Sequence, residues 1–219
     1  MFEQKNIQLR NGLQSSTLST KENGLVGGRG TKYLALNPTH YEIQRGNTFM
    51  FQVHFPDKYF DDDPIFKAQQ SYASATSSQA SDVFRISVSS AFVPHFTTNA
   101  IELKRGNNTM KFAGVPTFSN GQIKFDDFIG AGTKDLLMAW QRKVYNHTTE
   151  KVGLASDYKL LGYLYEYTPD YQVVRIWKLS GCWISALSED DYSHDNSDKH
   201  SINCTIEYDW AEIDISDLA

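Results

Sequence analysis

His200-Ser201-Ile202-Asn203-Cys204-Thr205-Ile206-Glu207-Tyr208-Asp209-Trp210 alternates without a break. His200, Ile202, Cys204, Ile206, Tyr208 and Trp210 fall on one side. Ser201, Asn203, Thr205, Glu207 and Asp209 fall on the other. Successive side chains of a strand point to opposite faces, so this period of two predicts one strand with one buried and one polar face. By alternation alone, the polar, acidic face reads as an ordinary solvated sheet surface.

Working outward, Lys159 to Tyr167 and Tyr171 to Leu179 read as two strands joined at Thr168-Pro169-Asp170, a turn sequence. Gln122 to Phe125 is a further strand after the turn Ser119-Asn120-Gly121. Ala100 to Lys104 and Thr109 to Phe112 read as a hairpin about Gly106-Asn107-Asn108. Phe84, Ile86 and Val88 alternate with Arg85, Ser87 and Ser89 and predict another strand, stopped by Pro94. The first strand is Phe49 to Phe55, with His54 off the apolar face.

One helix interrupts this pattern, from about Thr133 to Tyr145. Leu136, Leu137, Trp140 and Val144 form its packing face at helical spacing. Thr133 is the expected N-cap, Asp135 suits the positive end, and Arg142 and Lys143 suit the negative end. Residues 56–82 read as one long loop. Its Asp61-Asp62-Asp63 is a solvated turn, because adjacent carboxylates do not match the alternate spacing of calcium loops. Residues 1–45 lack sustained periodicity and read as an N-terminal arm ahead of a β-rich domain at 46–219. Gly24 to Gly30 has neither the strand before it nor the helix after it that a phosphate loop needs. The expected fold is mainly β: a sandwich or curved, barrel-like sheet with one amphipathic helix and long loops.

Catalytic chemistry finds no foothold. The chain lacks a GxSxG elbow, an HExxH pair and a P-loop. Catalytic residues: none. Cys182, between Gly181 and Trp183, reads as strand interior rather than as a nucleophile. Cys182 and Cys204 stand far from metal-ligand spacing, and buried free thiols are expected. His194, Asp195, Asp198 and His200 carry ligand chemistry but lie in a polar loop, so no metal site and no cofactor are expected. The formal net charge of -5 argues against a surface that grips nucleic acid. No stretch reaches the ~20 apolar residues of a membrane span. Met1 to Gly12 has no apolar signal core, so assembly in a cytoplasm is expected.

From about residue 83 to 212 the order of these features resembles the tail-tube proteins of contractile-tailed bacteriophages. The carrying stretches are Asn99 to Asn108, Lys111 to Pro116 and Ile123 to Asp127, then Leu136 to Trp140 with Tyr145-Asn146. Tyr158-Lys159, Trp177 to Trp183 and Ile202 to Tyr208 complete the series. That family is related in fold to baseplate tube-end and type VI secretion tube proteins. The resemblance implies a virion structural protein in the tail, assembled in the host cytoplasm. Its copies would form hexameric rings that stack into a tube beside sheath and baseplate proteins. Strands of neighbouring subunits would join into one barrel around a lumen through which DNA passes without specific binding. Ser201, Asn203, Thr205, Glu207 and Asp209 are then expected to face the lumen. The competing expectations are a tube-end protein of the same fold, and a carbohydrate-binding β-sandwich using Tyr59, Phe60, Tyr165 and Trp210 as its platform.

Overall fold

A computed structural model describes residues 43–69, 77–129, 132–195 and 197–214. The expected N-terminal arm lies almost wholly outside them, and the unit described below begins at Gly46. Its strands are β1 (Phe49–His54), β2 (Val88–Ser90), β3 (Phe96–Arg105), β4 (Asn108–Phe118), β5 (Gly121–Asp126), β6 (Tyr145–Asn146), β7 (Lys151–Val152), β8 (Leu160–Tyr167), β9 (Val173–Glu189), β10 (Ser201–Glu207) and β11 (Trp210–Asp214). Its helices are α1 (Pro64–Gln69), α2 (Ser77–Ser87), α3 (Thr133–Val144) and α4 (Ala155–Tyr158). The fold is mainly β, with a nearly closed, barrel-like sheet.

Seven strands join in the order β1-β8-β9-β10-β5-β2, with β11 also on β9. All the pairings are antiparallel. The 17 residues of β9 serve two sheets. Its first part lies between β8 and β11, and its last part pairs with β10. The change-over falls at Gly181, where φ is 73°. A Cβ there would sit 2.2 Å from the Asp209 carboxylate, so only glycine fits both the backbone and the neighbour. The expected single strand from His200 to Trp210 is in fact two. β10 ends at Glu207, the chain turns at Tyr208 and Asp209, and β11 continues in the other sheet.

The alternation of β10 holds within its bounds. Ile202, Cys204 and Ile206 are buried and join Ile123 and Phe125 of β5, the register partners of Cys204 and Ile202. Phe51 and Val53 of β1 and Leu164 of β8 close the core from the other sheet.

Helices cover that core, where one helix was expected. The stretch read as a strand at Phe84, Ile86 and Val88 is the end of α2 and the start of β2. Ala80, Phe84 and Ser87 repeat at helical spacing and are buried, while Ile86 is 67% exposed. The expected 56–82 loop likewise contains α1 and half of α2. Asp63 is no solvated turn residue. Its Oδ1 accepts the N–H groups of Ile65 and Phe66 at 3.0 and 3.1 Å, capping α1. Its Oδ2 accepts Arg142 Nε of α3 at 2.7 Å.

In α3, Leu136, Leu137 and Trp140 are buried, together with Ala139, and Val144 is half-buried. Trp140 meets Phe55 edge-on at 5.4 Å and donates Nε1–H to the Tyr158 carbonyl at 3.0 Å. Thr133 is not the N-cap. Gly132 holds that place, and Thr133 is a buried residue of the first turn. Ser87 Oγ donates to the Val83 carbonyl at 2.7 Å, so it accepts from Thr133 Oγ1 at 2.8 Å. The threonine hydroxyl therefore ties α3 to α2 instead of closing its own helix.

Two outcomes test this packing. Phe84→Ala should cost about 3–5 kcal/mol in urea unfolding. Ile86→Lys should stay within about 0.5 kcal/mol; equal losses at both sites would restore the strand reading. Burial pushes the Asp63 carboxyl up, but the Arg142 guanidinium and the helix N–H groups outweigh it and hold the acid below its usual range. Asp63→Ala should lose about 2–4 kcal/mol at neutral pH. Because the folded acid is the stronger one, its contribution is full above the unfolded carboxyl range and is lost as pH falls through the lower folded value. Urea curves of wild type and variant should therefore converge as pH is taken below the ordinary carboxylate range.

Candidate functional site

The surface that the sequence singled out lies on the β10–β5 sheet. Asn203, Thr205 and Glu207 are half-buried on the face opposite the core. Lys124 and Gln122 of β5 stand beside Asn203 and Thr205, and Ser188 of β9 flanks Asn203 on the other side. Glu207 Oε1 accepts Asn120 Nδ2–H at 3.0 Å. Ser201 begins this row but is only 2% exposed. Asp209 is off the row altogether, because the strand ends before it. Its carboxylate takes two bonds from Lys159 Nζ, at 2.7 and 2.8 Å, beside the Gly181 bend. Trp210, expected on the buried side, is 54% exposed on β11.

Strand margins are the second feature. Among the described residues, β1 and β11 each pair on one side only and bound the four-stranded sheet β1-β8-β9-β11. A margin of this kind presents unpaired N–H and C=O groups and is a template for another chain.

The third feature is the hairpin β3–β4, which is longer than the expected 100–112 and forms a sheet of its own. Gly106, at φ 60°, supplies its tight turn between Arg105 and Asn108. Its root is fixed by Phe118, 5.8 Å from the ring of Phe96 and 5.8 Å from that of Tyr208. Almost all of it is exposed, including Ile101, Leu103, Met110 and Phe112. Sequence reading located the hairpin but not this exposure. The signal was present in the alternation of Ile101 and Leu103 with Glu102 and Lys104.

The polar loop between β9 and β10 borders an open pocket of about 470 Å³ lined by Asp190, Asp191, Tyr192, Asp198, Lys199 and His200, among others. His200 stacks on Tyr192 at 4.6 Å, and its Nε2 lies 3.0 Å from the Asp190 carbonyl. No group of three or more ligating side chains could hold a metal among the described residues. Burial pushes the Cys182 thiol up to about 12 and raises Cys204 further. Neither thiol is a nucleophile at neutral pH. Of the aromatics considered for a sugar platform, Phe60 is buried and Tyr59 packs against it edge-on at 4.9 Å. Neither ring is presented as a flat platform. No helix among the described residues is long and apolar enough to cross a membrane.

No protein-family model and no curated protein matches the sequence. Solved structures do match the fold. The tube-terminating cap of the anti-feeding prophage is 13% identical, covering 79% of this chain and 91% of its own, at a TM-score of 0.55. A chain of the sheath–tube complex of PVC, an extracellular contractile injection system, is 14% identical over 84% of this chain and 97% of its own, also at 0.55. The sheath/tube terminator structure of PVC contributes a match at 15% identity over 80% and 97%, at 0.53. At these identities the shared property is the fold, and the tail-tube resemblance in the order of strands, helix and hairpin is met by the same architecture in space.

Both thiols should stay unreacted with an aromatic disulfide reagent at pH 8 until denaturant is added. Rapid labelling of the native chain at either cysteine would contradict their burial.

Proposed function

We propose that the chain is a non-enzymatic structural subunit of the inner tube of a contractile, phage-like tail. Copies join through the margins of the β1-β8-β9-β11 sheet into six-membered rings, and the rings stack. The carrying observation is that this sheet ends in two unlike strands, β1 and β11, each paired on one side only among the described residues. A head-to-tail contact between unlike edges makes a ring when the rotation it imposes closes, and a closed ring removes both edges at once. The likeness to a sheath–tube complex of an injection system supports this reading.

In such a ring the row Asn203, Thr205 and Glu207 is assigned to the channel wall, with Ser201 beneath it and Asp209 withdrawn to its ion pair with Lys159. The net charge of -5 suits a channel through which DNA moves without being held. The partners are copies of the chain, a surrounding sheath and a baseplate. The place of action is the virion tail, after assembly in the host cytoplasm. A second reading, a tube-terminating ring, is favoured by the likeness to the anti-feeding prophage cap.

Negative-stain images and sedimentation of the purified chain separate the outcomes. Stacked rings growing into tubes are expected for a tube subunit, and single rings that never stack mark a terminator. A chain that remains one compact particle at high concentration removes both readings.

A further inference from the structure

His200 stands at the corner where the end of β5, the end of β9 and the start of β10 meet, beside α3. Both of its ring nitrogens face acceptors. Nε2 lies 3.0 Å from the Asp190 carbonyl oxygen, which can only accept, so Nε2 carries a hydrogen. Nδ1 is enclosed, has no hydrogen-bond partner and lies 3.4 Å from Asp127 Oδ2. A neutral imidazole has one N–H. With that hydrogen on Nε2, the ring turns a lone pair toward the Asp127 carboxylate. A second proton makes Nδ1 a donor, and the repulsion becomes a charge-assisted hydrogen bond.

The surrounding charges leave Asp127 to His200. The two side chains are 16% and 17% exposed, and Asp127 makes no other ion pair among the described residues. Glu189 of β9 lies 4.0 Å from Nε2 but is held by Lys134 of α3. Lys199 is held by Asp126 of β5. Burial, and then the charge of Asp127, push the Asp135 carboxyl of α3 up, as expected where negative charge is crowded. On the open side, Asp190, Asp191 and Asp198 face Lys124 and Lys199 around the pocket. Lys134, with its Nζ 5.9 Å from the Tyr192 ring, is the cation that opposes a charged imidazole.

The ring also seats the chain just past β9. Tyr192 lies flat on it, 4.6 Å away with 4° between the planes, and is otherwise exposed. We propose that His200 is a proton-dependent latch. With both nitrogens protonated it bridges Asp127 to the Asp190 carbonyl and holds Tyr192 on its face. On losing the Nδ1 proton it releases segment 190–192 from the end of the sheet. The latch depends on a proton gained, so it is closed at acid pH and is lost as pH rises through the imidazole range of about 5 to 8. It is a property of the single chain and does not rest on the proposed assembly.

Hydrogen exchange of the full chain, corrected for the intrinsic pH dependence of exchange, tests this at about pH 5.5 and about pH 8 in samples that sediment alike. Peptides covering 190–192 should lose about tenfold in protection at the higher pH, equivalent to about 1.4 kcal/mol. Peptides of β1 and β8 should hold within about twofold. His200→Gln has no titrating ring, and its segment 190–192 should change by less than about twofold. Asp127→Asn should behave likewise, because its amide N–H can bond a neutral Nδ1. Nitrogen NMR of wild type should show hydrogens on both ring nitrogens at about pH 5.5 and on Nε2 alone at about pH 8. Equal protection of 190–192 in wild type at both pH values overturns the proposal, and so does a His200 ring with one hydrogen at the lower pH. A His200→Gln chain that keeps the wild-type change also overturns it, since another group then titrates. The wild-type measurements stand without any variant, so a substitution that fails to fold leaves the test intact.

Discussion

One strand carries two sheets, and the rest of the architecture follows from that constraint. β9 is bonded to β8 and β11 along its first part and to β10 along its last. A straight strand would keep its neighbours in one layer. The left-handed backbone at Gly181 turns it, and the Asp209–Lys159 pair fills the space where a side chain would have stood. The same bend separates β10 from β11 and leaves β11 as a margin.

Secondary structure was legible where a single periodicity ruled. β10, with Ile202, Cys204 and Ile206 inward, is the plainest case, and the leucine and tryptophan face of α3 is another. It was misread where two periods overlapped. Phe84, Ile86 and Val88 fit a strand, while Ala80, Phe84 and Ser87 fit a helix, and a short apolar run cannot decide between them. The core decided by burying Phe84 and releasing Ile86. The roles of Thr133 and Asp63 were hidden for another reason. Their partners, Ser87 and Arg142, are 46 and 79 residues away in sequence, and no local pattern announces such a pairing. The alternation that identified β10 also ran past its end, because a turn at Tyr208 and Asp209 does not interrupt a binary pattern.

Of the candidate site, sequence supplied the polar row at Asn203, Thr205 and Glu207. It did not supply the strand margins or the two-faced hairpin as surfaces. A margin exists only once the strand order is known, and the order depends on pairings between distant segments. The burial of both thiols was legible, since both lie on strands whose inward faces are apolar. The three features belong together physically. They are a sheet that stops at two unlike edges, a ribbon that makes a sheet of its own and a polar strand face opposite the core.

The pairing of β1 with β8 also sets a clock. Thr48 donates its hydroxyl to the carbonyl of Tyr167, 119 positions further along, and β1 pairs with β8 in that neighbourhood. During synthesis β1 emerges early and must wait for the chain as far as β8, which ends at Tyr167, before it can be bonded. Contacts of such long range slow folding, whereas the β3–β4 ribbon needs only its own turn and can form first. The nascent chain therefore holds its apolar ribbon and unclosed sheet in solvent together. Helpers that bind exposed apolar segments, or slow translation ahead of β8, would act on yield rather than on the final stability of the subunit.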